Sequence, residues 1–307
     1  MHKRTKGNIA TYYVVIFLVL GLVGAVLRAL ELIRHYDRLT GLFEPFAAAP
    51  VLPLYVLVCA LAAFACSWQY RGDAGPFVDV YALSRRPSII ARIVCGVLLC
   101  AAGFLKVPGA LVTFVYSVRD AIALRSLQVV NGFSLAELIF GLITILAGVA
   151  YVVLTNARCT HRIDDITRFF STIPIYWSCF LLVMTFMDHP VEPVLRSFAY
   201  DLLAGCAMVL AIYHFIARAY DRLQRGPAVF VSLIGITLLT LSVVSKILAA
   251  LLSGNVIWLT EDAFRTVSFA VIGAMILLDT IPLLNAPKYI RPASQKNTEG
   301  IDETIES

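Results

Sequence analysis

The sequence has little charge for its length. Of 307 residues only 15% are Asp, Glu, Lys or Arg, and 60% are hydrophobic, whereas soluble domains average roughly 25% charged and 45–50% apolar residues. With a mean hydropathy of +0.83, the chain cannot clothe a core in polar surface, which excludes a soluble protein. Long polar connections are also lacking, so there is no room for a soluble catalytic domain. Catalytic motifs are absent too. No GxSxG, HExxH or repeated His box occurs, so the nucleophile elbow and the helical zinc site lack their residues. Nor is there an Asn-x-Ser/Thr sequon.

The seven cysteines show no CxxC or other metal spacing. Cys59, Cys66, Cys95, Cys100, Cys179 and Cys206 fall in apolar runs, where a free thiol packs as a small hydrophobe. In MDHPVEP, Asp188, His189 and Glu192 put one imidazole among acids in a Pro-bracketed turn, too few strong donors for a zinc site. No catalytic residue, metal or cofactor is therefore expected, and an enzyme is not the favoured reading.

What the chain does have is long apolar runs. A spanning helix needs about 20 mostly apolar residues for a hydrocarbon core of roughly 30 Å. Eight stretches qualify: Tyr12 to Leu30, Val51 to Trp68, Ile90 to Phe114, Leu135 to Leu154, Phe169 to Met187, Phe198 to Ala219, Ala228 to Leu252 and Phe264 to Leu284. The expected fold is an all-α, polytopic membrane helix bundle. MHKRTK before the first run resembles a basic leader, but the run is too long for a cleaved signal and is read as a retained span. Val115 to Phe133, with Arg119, Asp120 and Arg125, is read as either an interfacial helix or a loop. Residues 286–307 are polar, end acidic and are expected to be a disordered tail.

The basic residues are distributed unevenly. With the N-terminus inside, 16 Lys and Arg fall in inner segments and seven in outer ones, leaving Lys106 and Lys246 within spans. By the positive-inside rule both termini are cytoplasmic, with the plasma membrane as the expected location. That asymmetry accounts for the net charge of +5, so nucleic-acid binding is not expected.

Leu98 to Thr113 (LLCAAGFLKVPGALVT) aligns without gaps on Leu238 to Ser253 (LLTLSVVSKILAALLS), at a constant offset of 140. The two lysines coincide. This suggests two parallel four-helix halves, residues 1–160 and 161–285, related by an axis along the membrane normal as in one class of transporters. At 100° per residue, Gly235, Leu239, Ser242, Lys246, Ala249 and Ala250 share a stripe rich in small and hydroxyl residues, the kind that lipid-embedded helices pack together. Lys106 sits on a similar stripe. Both lysines are expected to point inward, near the outer surface. Lys246 could instead snorkel to the headgroups.

At similar depth stand Asp201 in SFAYDLLAG and Glu137 in FSLAELIF. An outward polar chamber of Lys106, Lys246, Asp201 and Glu137 would hold a small polar or anionic solute, the carboxylates supplying pairing or proton coupling. Asp279, Arg265 and His214 are the candidates for an ion or proton path; by helix geometry His214 is about 140° from the face of Asp201. A retinal Schiff base at Lys246 fits poorly, because the lysine is too near the surface and has a twin. The favoured function is a transporter or solute-binding permease component. The alternative is a non-catalytic sensor or a subunit of a membrane complex. Small-residue steps at Gly21/Ala25 and Ala270/Ala274 suit packing within the bundle, against a protein partner or in a homo-oligomer. The lipid bilayer is the one partner the composition demands.

Orientation is testable first. Tags fused to either terminus are expected to be cleaved by added protease only after sealed cells are permeabilised. Cleavage on intact cells would reverse the topology.

Overall fold

A computed structural model describes residues 3–34, 36–37, 42–43, 51–71, 86–123, 132–159, 164–187, 198–217, 220, 223–254 and 263–285. Eight helices among them are long and apolar enough to cross a membrane: α1 (Lys3–Arg34), α2 (Val51–Trp68), α3 (Arg86–Ala123), α4 (Gly132–Cys159), α5 (Asp165–Met187), α6 (Ala199–Ala217), α7 (Arg225–Ser253) and α8 (Ala263–Asn285). Between α1 and α2 a two-residue antiparallel bridge pairs β1 (Tyr36–Asp37) with β2 (Leu42–Phe43). The architecture is the expected all-α bundle. Hydrocarbon offers no partner for backbone amides, so each crossing must satisfy its hydrogen bonds within the helix.

Several helices outrun their apolar cores. α3 has 38 residues, or ~57 Å at 1.5 Å per residue, and takes in residues 115–123 as its own continuation. The part of the Val115 to Phe133 connection that lies in 124–131 is outside the described residues. So are Asp188, His189 and Glu192, and so is the 286–307 tail.

Six helices close a ring: α3 packs on α4, α4 on α5, α5 on α6, α6 on α7, α7 on α8, and α8 back on α3. α1 and α2 lean against α7 from outside. α7 is therefore enclosed on most sides, and 78% of its most apolar window is buried against 33% for α3. The boundary expected at 160/161 runs between α4 and α5, which pack together within the ring. At its far end α7 stops where Gly254 takes the left-handed conformation (φ 65°), a backbone setting in which a side chain would be strained.

Small residues set the closest contacts. Gly96 and Gly103 of α3 face Gly148 and Gly141 of α4, so the two backbones nearly touch. A Cβ on Gly148 would lie 2.7 Å from the Cys100 nitrogen and 2.7 Å from the Gly96 carbonyl oxygen. In each helix the two glycines are seven residues apart, which keeps them on one face over two turns. Gly21 serves a contact inside the bundle, where a Cβ would lie 2.8 Å from the Thr240 Cβ and 3.0 Å from the Thr237 carbonyl oxygen of α7, and Ala25 is fully buried. Ala270 and Ala274 are exposed.

Polar links hold the neighbours in register. Thr237 donates from α7 to the Phe17 carbonyl (3.2 Å), Tyr55 from α2 to the Leu20 carbonyl (2.6 Å) and Trp177 from α5 to the Thr144 hydroxyl of α4 (2.9 Å). All seven cysteines are free thiols.

The glycine seam makes a graded prediction. Gly148→Val is expected to destabilise the solubilised protein by about 1–3 kcal/mol or more, the usual result of forcing atoms into a packed interface. Gly109→Ala, where nothing lies within 4 Å of the new methyl, should leave the melting temperature unchanged.

Candidate functional site

The charged side chains inside the bundle gather at its two ends. The register of α7 on α8 sets their depths: Leu239 lies against Gly273, and Ile276 reaches Gly235. This antiparallel pairing puts Lys246 level with Arg265, and Ser232 level with Asp279. Phe140 of α4 meets Phe264 of α8 edge to face at 5.3 Å, so Glu137, one turn from Phe140, is at the level of Lys246 too. Lys106, Lys246, Asp201, Glu137 and Arg265 thus share one end, here the lysine end. Asp279 and His214 lie at the other, the arginine end.

At the lysine end the expected groups are joined in pairs. Lys246 Nζ meets Asp201 Oδ2 at 2.7 Å, with side chains only 12% and 9% exposed. The hydroxyl of Ser242, one turn earlier on α7, donates to the other oxygen, Oδ1. One carboxylate of α6 is therefore gripped by two donors of α7. Asp201 also stands in the first turn of α6, where the unpaired amides of a helix start favour negative charge. Lys106 pairs with Glu137 at 2.6 Å, linking α3 to α4 in a more open setting, 30% and 20% exposed. Snorkelling of Lys246 to the headgroups is not what the structure shows.

Two more charges, neither of them conspicuous in the sequence, lie buried at this end. Arg28 and Glu31 of α1 form a 2.6 Å ion pair, and the Arg28 guanidinium lies 4.9 Å from the ring centre of Tyr200, the residue before Asp201. Their signal was present as an i,i+3 pair in RALELIR, but an amphipathic helix end gives the same pattern.

The arginine end has a different chemistry. Asp279 of α8 pairs with Arg92 of α3 (3.1 Å). Arg92 Nη2 also donates to the Leu278 carbonyl at 3.0 Å. That carbonyl needs an outside donor because the residue four positions on is Pro282, inside α8, which has no N–H to return. Arg225 completes the end of α8 by donating to the carbonyls of Leu283 (3.0 Å) and Leu284 (2.8 Å) while lying 4.5 Å over the Tyr70 ring. The last carbonyls of a helix have no intrahelical partner. Both arginines are buried, at 2–3% exposure.

Inside the ring at the same end is a cavity of about 20 Å³, lined by Tyr151 of α4, His214 and its neighbours on α6, Ser232 of α7, and Ile272, Met275, Ile276 and Asp279 of α8. His214 and Asp279 thus meet one cavity, whereas Arg265 and Asp201 are at the far end. On the α8 stripe between Arg265 and the cavity, the fully buried Ser268 hydroxyl has no hydrogen-bond partner among the described residues. No group of three or more metal-ligating side chains occurs among the described residues.

Breaking a buried ion pair from one side strands the other charge, at a cost of about 3–5 kcal/mol. Lys246→Met and Asp201→Asn are each expected to lower the unfolding free energy by an amount of that order, with the double variant losing less than the sum. Lys106→Met should cost below ~1 kcal/mol, since half-exposed pairs are worth little. Equal losses at the two lysines, measured by denaturant unfolding in mixed micelles, would contradict this ranking. No protein-family model matches the chain, and no curated protein or solved structure is similar to it, so its function has to be read from these two ends of the bundle.

Proposed function

We propose that this multi-pass membrane protein is a permease for a small anionic solute, bound at the lysine end inside the helix ring. The observation that carries this reading is the seating of Asp201. Its two oxygens take a lysine ammonium and a serine hydroxyl where α6 meets α7, with little exposure to solvent. A carboxylate-bearing solute needs those same donors, so Asp201 stands in for the solute and yields to it.

The surroundings support an anion over a cation. Among the described residues the buried and half-buried charges of this end are Arg28, Lys106, Lys246 and Arg265 against Glu31, Glu137 and Asp201. Intramembrane ionisable groups facing a bundle interior are costly and are characteristic of solute and ion pathways. Exchange of Asp201 for solute would loosen α6 from α7, the helix on which α1, α2 and α8 also pack, so occupancy is coupled to helix movement. In the orientation given by the basic residues this end faces outward. The pairing of both lysines at one end is what two parallel four-helix halves would produce, and the duplication is proposed on that ground. A second reading, a subunit or sensor, draws on exposed Ala270 and Ala274, which would let another helix approach α8 closely.

The test uses melting temperatures of wild type, Asp201→Asn and Lys246→Met in detergent, each with a panel of small carboxylates and neutral sugars. Binding to the folded state alone stabilises by about 2.7 kcal/mol at a hundredfold excess over Kd. Carboxylates should raise the melting temperature of wild type, raise that of Asp201→Asn at lower concentration because the internal competitor is gone, and leave Lys246→Met unmoved. If Asp201→Asn responded to no anion, the permease reading would fall.

A further inference from the structure

The cavity at the arginine end is separate from the lysine site. Asp201 precedes Ala211, the first α6 residue of its wall, by ten positions, or ~15 Å along the helix. Its volume of about 20 Å³ admits one water molecule, provided two to four polar groups surround it. Four are present: Tyr151, His214, Ser232 and Asp279. Each comes from a different helix.

We infer that this cavity is a proton-binding site, in which Asp279 accepts a proton delivered by His214 through a single water molecule. His214 stands in the last turn of α6 and is half-buried, so it meets the cavity on one side and the margin of the bundle on the other. Imidazole is suited to this relay because one nitrogen can accept a proton while the other releases one. The proton passes from His214 to the water, the water gives up another of its own to the Asp279 carboxylate, and His214 is left neutral for the next delivery.

Arg92 decides why the ligand is a proton and not a metal cation. Its guanidinium already holds Asp279 at 3.1 Å, so a metal ion entering here would meet a fixed positive charge with room for a single water. A proton neutralises the carboxylate and needs no space. Arg92 then keeps one hydrogen-bond acceptor, the Leu278 carbonyl, although the pair's counter-charge is gone. The groups that face Asp279 from the packed elements are Arg92 of α3, Tyr151 of α4, His214 of α6 and, one turn further along α8, Arg225 of α7. Among the described residues α1 brings Val14 and Phe17 to the shared core, with Tyr13 packed against it. Proton binding would therefore unlatch α3 from α8 at this end.

Infrared difference spectroscopy of the full chain in lipid, stepped from neutral to acidic buffer without added solute, tests this directly. Among the carbonyl-stretch bands of protonated carboxylic acids, one component should appear in wild type and in Asp201→Asn, be missing from the difference spectrum of Asp279→Asn, and shift in frequency in Asp279→Glu, which keeps an acid at the site. His214→Gln should slow its appearance after a pH jump. If Asp279→Asn does not fold, the shift in Asp279→Glu decides. A band missing from wild type, or unchanged in both Asp279 variants, would overturn the proposal. The readout needs no anion, so it stands or falls apart from the permease reading.

Discussion

An ionised side chain at the centre of a bilayer costs about 2.5–3.5 kcal/mol by insertion scales and more by simulation, and this bundle keeps several such groups out of water. The Asp201 carboxylate shows how the constraint is met. It is engaged by Lys246 and Ser242 on the neighbouring helix and placed in the first turn of its own, so charge, hydrogen bonds and helix dipole act together. Arg28 with Glu31 and Arg92 with Asp279 answer the same constraint. Three of these helices meet α7, so the ion pairs and the burial of that helix are one structural fact.

The two ends meet the problem differently. At one, Lys106 and Lys246 each bring a single ammonium charge to one carboxylate, beside the Arg28–Glu31 pair. Arginines serve the other, where several acceptors must be reached from one side chain: Arg92 spans a carboxylate and a carbonyl, and Arg225 spans two carbonyls and an aromatic face. The planar guanidinium offers five donors and suits such multiple contacts. Lysine at either position would satisfy fewer of the carbonyls that Pro282 and the end of α8 leave open. The lysine end is thus held by side-chain contacts between helices, whereas the arginine end is also tied to backbone carbonyls.

Much of the candidate site was legible because charge within an apolar run is rare enough to be conspicuous. Lys106, Lys246, Asp201, Glu137 and Asp279 all stood out in this way, and the small-residue stripe around Lys246 correctly implied an inward side chain. Arg92, Arg28 and Glu31 did not stand out, since they occur near helix ends, where a charge at the membrane surface gives the same pattern. The glycine seam of α3 and α4 was missed for a related reason: a seven-residue spacing within one helix does not say which other helix approaches it. The pairing Lys106 with Glu137, and Lys246 with Asp201, was likewise hidden, because four charges at one depth admit more than one arrangement.

The sequence by itself determined eight apolar runs long enough to cross a membrane as helices, the form that lipid requires of such runs. It also marked Lys106, Lys246, Asp201, Glu137 and Asp279 as charges within apolar runs. Only the tertiary structure decided the six-helix ring, the central place of α7 and the partner of every buried charge. Periodicity fixes the face on which a side chain projects, whereas the identity of the neighbouring helix depends on packing between segments far apart in the chain. Asp279 shows the difference. Its depth follows from its position in the run, but its cation stands 187 residues earlier, on a helix brought beside it by the closure of the ring.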